Sequence, residues 1–124
     1  MTRLDSLFQE LGQRLGLGPV GFSEESPLAL DLEGLGGLVF EMAPQLGDLL
    51  VSLAWPLAAY DKSTLIRALE ACSLEKSLDF PLQAGLYQDH LLLMVRRNPA
   101  RLSAPELEEL VLNLIKIRDK ILET

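Results

Sequence analysis

Hydrophobic residues recur every three or four positions in three segments of the chain, which is the spacing of one face of a helix. The first segment predicts a helix over residues 3–16, which glycines and a proline then end. A second helix is predicted after Asp61 or Ser63, because either side chain can accept hydrogen bonds from the N–H groups of a first helical turn. The third helix begins at a capping box formed by Ser103 and Glu106, the strongest start signal in the chain.

Five other segments follow the patterns of strands. Apolar residues alternate over residues 28–33, 38–43 and 78–86, which is the period of a half-buried strand. A hairpin turn then predicts a further strand over residues 91–96. Residues 49–55 are apolar on both faces, which predicts a strand that is covered on two sides.

The order of these elements is helix, three strands, helix, two strands and helix. It predicts an α+β fold with the order α-β-β-β-α-β-β-α, in which a mostly antiparallel five-stranded sheet packs with three helices. A length of 124 residues suits one hydrophobic core, so we expect a single domain over residues 1–124.

The chain is both apolar and acidic. Apolar side chains make up 48% of the sequence, and the formal net charge is −7. Residues 1–60 hold eight acids and two bases, a net charge of −6, so the first half carries most of the charge. Arg96, Arg97 and Arg101 form the only basic cluster in the sequence. Phosphate backbones require many clustered cations, and we therefore expect no nucleic-acid partner.

The sequence offers little of the chemistry that metal binding or catalysis requires. Cys72 and His90 are the only cysteine and histidine, which gives too few ligands for a zinc site. The glycine-rich residues 34–37 do not match a phosphate-binding loop, because the lysine and the following helix are absent. We therefore expect no metal, no cofactor and no small-molecule substrate. No apolar run is long enough for a membrane span and no signal peptide is recognisable, so we expect a cytosolic protein without membrane insertion.

A thiol-dependent hydrolase is the alternative from a different class. Cys72, His90 and Asp89 are formally the members of such a triad. Asp89 and His90 are neighbours in a tight turn, however, and neighbours cannot readily orient each other as a triad requires. The sequence therefore predicts that the protein is not an enzyme.

Apolar residues exceed what one face of a five-stranded sheet can bury. Large exposed apolar patches mark interaction sites, and an unpaired strand edge can accept an extended peptide through backbone hydrogen bonds. The sequence therefore predicts a protein that binds other proteins.

The whole plan resembles the class I type III secretion chaperones, small acidic proteins of the bacterial cytosol. The segments that carry the resemblance are residues 4–15, 28–55, 64–72, 84–97 and 104–122. They match the family in element order, size and charge rather than in a short sequence signature. The resemblance implies a chaperone that binds the N-terminal region of a secreted effector and keeps it soluble and competent for secretion.

The resemblance also implies a homodimer and an effector segment that wraps around it in a largely extended form. The dimer contact is expected from the second helix, the third strand and the hairpin, at Trp55, Leu65, Ile66, Leu69, Cys72 and Leu86. Client contacts are expected from surplus apolar residues of the first helix and first two strands, at Leu4, Leu7, Phe8, Leu11, Leu28, Leu30, Leu32 and Phe40.

The residues alone leave two interpretations of these side chains open. The stripe on the first helix and the alternating leucines of the first strand fit a hydrophobic core as well as a client site. Leu65, Ile66 and Leu69 likewise fit packing on the chain's own sheet as well as a dimer contact. The alternative function is a small dimeric α+β adaptor or regulator without a role in secretion.

Overall fold

The structure is a computed structural model that describes residues 3–18, 20–43, 47–58, 61–74 and 82–122, apart from the side chains of residues 73 and 74. Its helices and strands follow one another in the predicted order. In chain order they are α1 (Arg3–Arg14), β1 (Leu28–Leu32), β2 (Gly36–Met42), β3 (Leu49–Pro56), α2 (Lys62–Leu74), β4 (Gln83–Tyr87), β5 (His90–Arg97), a short 3-10 turn (Pro99–Arg101) and α3 (Ala104–Leu122).

The five strands form one antiparallel sheet in the order β1-β2-β3-β5-β4. The predicted α+β fold class is therefore confirmed. Because β5 lies between β3 and β4, the two edges of the sheet are β1 and β4. The first residues predicted for the fourth strand, 78–81, lie outside the described residues.

The helices pack on one face of the sheet, here called the covered face. Side chains of all three helices and alternate side chains of β2, β3 and β5 form one buried cluster. Phe8 of α1 stacks on Phe22 with the ring centroids 4.3 Å apart, and it meets Phe40 of β2 edge-on at 5.0 Å. Aromatic pairs of this kind contribute about 0.5–1.5 kcal/mol beyond the area they bury. They fix α1 over the β1–β2 side of the sheet.

A Schellman turn ends α1 two residues before the predicted position. The N–H groups of Gly16 and Leu17 donate to the carbonyls of Gln13 and Gly12, at 3.2 and 2.8 Å. Gly16 has φ +76°, the left-handed conformation that this turn requires and that glycine adopts without a steric cost.

The two predicted helix starts carry their caps. Asp61, rather than Ser63, caps α2, because its Oδ1 accepts a hydrogen bond from the Thr64 N–H at 3.1 Å. At α3, the Ser103 hydroxyl accepts from the Glu106 N–H at 3.3 Å and donates to the Glu106 carboxylate at 2.9 Å. The hydrogen bond from the Glu106 N–H to the Ser103 hydroxyl is the one that a capping box requires of its serine, so the predicted start of α3 is confirmed.

The prediction that β3 is covered on two sides was wrong. The described helices pack on the covered face, whereas Leu50 and Ala54 of β3 project from the other face, here called the open face. Both side chains are half-buried. Because β3 is the central strand, side chains of β2 and β5 flank it on each face. Its apolar character on both faces reflects that central position rather than a second layer.

Candidate protein-binding surfaces

One exposed apolar surface lies where α2 meets β4. It is called the α2–β4 patch and consists of Leu65, Ile66, Leu69 and Leu86. Ile66, Leu69 and Leu86 are 53%, 52% and 55% exposed, which is unusual for large aliphatic side chains that stand together. Leu65 and Leu86 line a shallow groove with Leu57 at the base of this surface.

Hydrogen bonds to α3 hold α2 in the position that exposes this patch. The Nε–H of Arg67 donates to the carbonyl oxygen of Ile121 near the end of α3, at 2.7 Å. The same guanidinium donates to the hydroxyl of the buried Thr64 at 3.1 Å. One side of α2 is thereby bound to the core, where Ala68 is fully buried, and its opposite side faces solvent.

The structure brings five of the six predicted dimer residues to this part of the surface. Leu65, Ile66, Leu69 and Cys72 follow one another along α2, and Leu86 lies on the neighbouring β4. Trp55 is different, because it is only 3% exposed. It joins the patch indirectly, since Trp55 pairs with Leu91 and Leu91 pairs with Leu86 across the covered face. The assignment of all six to a dimer contact stays a prediction.

Cys72 does not have the environment of an activated nucleophile. Its side chain is half-buried on α2, and burial raises the pKa of the Cys72 thiol. A raised pKa disfavours the thiolate, which is the form that attacks a substrate. The raised pKa is therefore opposite to what a thiol-dependent hydrolase needs.

The second candidate surface is the free edge of β1. This strand pairs with β2 and has no other strand beside it among the described residues. Leu28, Leu30 and Leu32 are half-buried on the covered face, and Ala29 and Asp31 are exposed on the open face. An edge of this kind presents unpaired backbone groups with a row of leucines on one side.

The predicted client-binding residues divide into two groups of four. Leu4 on α1 and the three leucines of β1 are half-buried, so each presents part of its side chain to solvent. The other four lie in the buried cluster, with exposures of 7% or less, and are Leu7, Phe8, Leu11 and Phe40. In this conformation the second group supports the surface from below rather than forming it. The client-binding role of all eight stays a prediction.

The open face is a surface that the sequence pattern did not reveal. Two rows of side chains cross all five strands in register, one running Ala29, Val39, Ser52, Met94 and Gln83, the other Asp31, Gly37, Ala54, Leu92 and Gly85. Gly37 and Ala54 of the second row form the floor of a groove of about 520 Å³ that Pro56 and His90 also line. These rows form only once the strands are paired in this order. From the sequence, the only signal for them was the alternation of side chains within each strand.

Charge is distributed unevenly over the open face. Asp31 and Glu41 stand on β1 and β2, and Glu24 and Glu25 precede β1 beside a second groove of about 320 Å³. Arg96, on β5, lies at the far side of the same face, opposite Leu50 of β3. The margin formed by β1 and β2 is therefore acidic.

In the described part of the chain, no helix is long and apolar enough to cross a membrane. Within the same residues, no three His, Cys, Asp or Glu side chains come together in a way that would hold a metal ion.

Solved structures of other proteins share this fold. A chain in the complex of the Yersinia pestis type III secretion chaperone SycH with a fragment of YscM2 matches with a TM-score of 0.70 and 19% identity, over 94% of this chain and 98% of that one. A chain of the ExsC–ExsE complex matches with a TM-score of 0.72 and 18% identity, over 94% and 89%. A chain of the ExoU–SpcU complex from Pseudomonas aeruginosa matches with a TM-score of 0.66 and 16% identity, over 95% and 93%.

At these identities the likeness to solved structures shows the fold alone. The family itself is shown by the sequence, because the family model for the type III secretory system chaperone SycN matches residues 4–122. The chain belongs to that family, and the predicted resemblance to type III secretion chaperones is confirmed. This is a family of chaperones rather than of enzymes. No match was found among curated protein sequences.

Proposed function

We propose that this protein is a homodimeric chaperone of the bacterial cytosol that binds the N-terminal segment of a type III secreted effector and keeps it soluble. One observation carries the proposal: the helices of the chain leave apolar surface uncovered at two separate places, the α2–β4 patch and the free edge of β1. Two separate surfaces suit two different partners, a second copy of the chain and a client.

The α2–β4 patch has the chemistry of a dimer contact. Fully burying a leucine or isoleucine side chain is worth about 1.5–3 kcal/mol. A two-fold axis buries Ile66, Leu69 and Leu86 twice, so six exposed side chains contribute to one contact. Because each side chain is already about half covered, the six together gain about 4.5–9 kcal/mol, which exceeds the lower estimates of the free energy that association costs, about 4 kcal/mol. Trp55, Leu65 and Cys72 then support or border the contact.

The edge of β1 has the chemistry of a site for an extended peptide. A client strand placed beside β1 would form backbone hydrogen bonds along its five residues. Alternate client side chains would cover Leu28, Leu30 and Leu32, which are half-buried. The remaining side chains of the client would face the groove on the open face.

Two of the similar structures are complexes with another protein, which supports a client of this kind. SycH was solved with a fragment of YscM2, and ExoU and SpcU were solved as one complex. Binding that rests on buried area and backbone hydrogen bonds requires no nucleotide, metal or cofactor. The acidic surface of this chain also disfavours nucleic acid as the partner.

A co-expression experiment tests the proposal. The chain would be produced with N-terminal fragments of secreted proteins from its own host and purified by a tag on the chain. We expect one or more fragments to stay soluble and to co-purify as a complex with two copies of the chain, measured by light scattering.

A matched pair of variants shows where the client binds. Leu30→Lys places a charge in the leucine row of β1, whereas Leu112→Lys places the same charge at an exposed leucine of α3. We expect the first to release the client and the second to retain it, with both variants folded and dimeric. Equal retention by the two variants would contradict the β1 site.

A further inference from the structure

Asp31 is an uncompensated charge in the middle of the proposed client site. It is the only charged residue of β1, and its side chain is exposed on the open face. Its carboxylate makes no hydrogen bond or ion pair with any residue that the structure describes. The leucines beside it in sequence point to the covered face, so Asp31 interrupts an otherwise apolar strand on one side only.

The neighbouring charges do not neutralise Asp31. Glu24, Glu25 and Glu41 carry negative charge too, and they line a separate groove at the other end of the β1–β2 margin, with Glu41 about 13 Å along the strands from the row of Asp31. Arg96 is on β5, three strand spacings or about 14 Å from β1, and it also lies four residues along β5 from Leu92, the residue in the row of Asp31. Arg118 of α3 reaches the β1–β2 turn at the Gly34 carbonyl, but it is already paired with Asp119 at 3.0 Å.

The register of the sheet fixes what a client strand would place next to Asp31. Residues directly opposite each other on antiparallel strands have Cβ atoms about 4.5–5.5 Å apart, within reach of an ion pair for a long basic side chain. Client residues opposite Leu28, Leu30 and Leu32 would face the leucine row. The client residue opposite Asp31 would face the acidic margin.

We propose that Asp31 selects client segments that carry Lys or Arg at one defined position. An antiparallel client strand would read, from its N-terminus, apolar, basic, apolar, any residue, apolar, and a parallel strand would read the reverse. This inference rests on the proposed function, because it requires a client strand at the edge of β1. It makes the client segment recognisable in the sequence of a candidate effector.

Two synthetic peptides of twelve residues test the proposal. Each carries the apolar pattern above, and they differ only in Lys or Glu at the basic position. Fluorescence anisotropy would measure their binding to the full-length dimer at low and high salt. We expect the Lys peptide to bind about fivefold more tightly at low salt, and the preference to shrink at high salt, as an exposed ion pair does.

Variants of the chain separate this proposal from the proposed function. Asp31→Asn is expected to abolish the preference, and Asp31→Lys to reverse it. Glu109→Lys, a charge reversal on the exposed side of α3, is the matched control and should leave the preference intact. A preference that survives in Asp31→Asn, or that Glu109→Lys removes equally, would overturn the role of Asp31. If neither peptide binds the unmodified dimer, the β1 site itself is contradicted.

Discussion

The two edges of the sheet differ in which faces they expose. In β1, alternate side chains are half-buried and exposed, so one face of the strand still belongs to the core. In β4, four of the five residues are exposed, and Ala84 alone is half-buried. β4 also lies beside α2, whose outer side is exposed. Among the described elements, no helix lies beside β1 in the same way. One edge offers a strand backbone with a row of leucines, and the other offers a broad apolar surface.

This difference separates two kinds of recognition. A backbone edge with alternating side chains suits a single extended peptide, whose own alternation matches it. A surface built from a helix and a strand suits a folded partner with the same surface, because a two-fold axis places each patch on its copy. On this basis we propose that β1 binds the client and that β4 with α2 binds the second subunit.

The largest effect is expected from charges placed in the α2–β4 patch. Ile66→Asp combined with Leu86→Asp puts four carboxylates into the proposed dimer contact. We expect the dimer dissociation constant to rise about 1,000-fold, since exposed apolar side chains are lost and charges are buried without partners. Analytical ultracentrifugation measures the change. Leu112→Asp is the control, and a dimer of unchanged affinity in the double variant would remove the assignment of this edge.

A smaller effect is expected at the turn that leads from β1 into β2. Gly36 has φ +125°, and a Cβ at this residue would lie 2.3 Å from the carbonyl oxygen of Ala54. Gly36→Ala therefore forces the first residue of β2 away from β3, next to the turn that connects β1 with β2. We expect a loss of about 2–4 kcal/mol in unfolding free energy, measured by urea denaturation.

Gly34→Ala is the natural control for that substitution. Gly34 also has a positive φ, at +78°, but no atom lies within 4 Å of the Cβ position. We expect it to cost clearly less stability than Gly36→Ala. Equal losses in the two variants would mean that the close approach to Ala54 is unimportant.

A still smaller effect is expected at a site far from both edges. Ser103→Ala removes the cap of α3 and should lower the unfolding free energy by about 1 kcal/mol. Client binding and dimer affinity, measured on the folded protein, should stay unchanged. If the free energy of client binding or of dimer association fell by more than the free energy of unfolding, α3 would contribute to recognition.

The smallest effect concerns pH and the cap of α2. Hydrogen bonds from the Thr64 hydroxyl and N–H hold the pKa of Asp61 below its ordinary value. A carboxyl with a lowered pKa stabilises the fold above the pKa of the unfolded chain, about 3.9, and this stabilisation is lost as pH falls through the folded value. We expect thermal stability to fall more steeply below pH 4 in the unmodified protein than in Asp61→Asn, which keeps a capping oxygen but does not titrate there. Parallel curves would contradict this assignment.

Local features of the sequence predicted much of this fold. The alternation of leucines in β1 and the capping box at Ser103 depend on neighbouring residues, and the structure shows both. The end of α1 was predicted two residues too late, at Gly16. In the Schellman turn Gly16 lies outside the helix, which ends at Arg14. The apolar pattern of β3 was misinterpreted because the strand's central place depends on β5, which is distant in sequence.

The candidate sites were harder to predict for the same reason. Phe8 of α1 and Ile66 of α2 both belong to apolar helical patterns, yet Phe8 is fully buried and Ile66 is 53% exposed. Periodicity shows that a helix has an apolar face, but not whether the chain's own sheet or a partner covers it. The residue row through Asp31 was invisible for a related reason, because it joins residues from all five strands.

Hydrogen exchange on the dimer, with and without a co-purified client fragment, tests the assignment of the two edges most directly. We expect the client to slow exchange in β1, and the amides of α2 and β4 to be equally protected with and without the client. Client-dependent protection in α2 and β4, with no change in β1, would contradict the assignment.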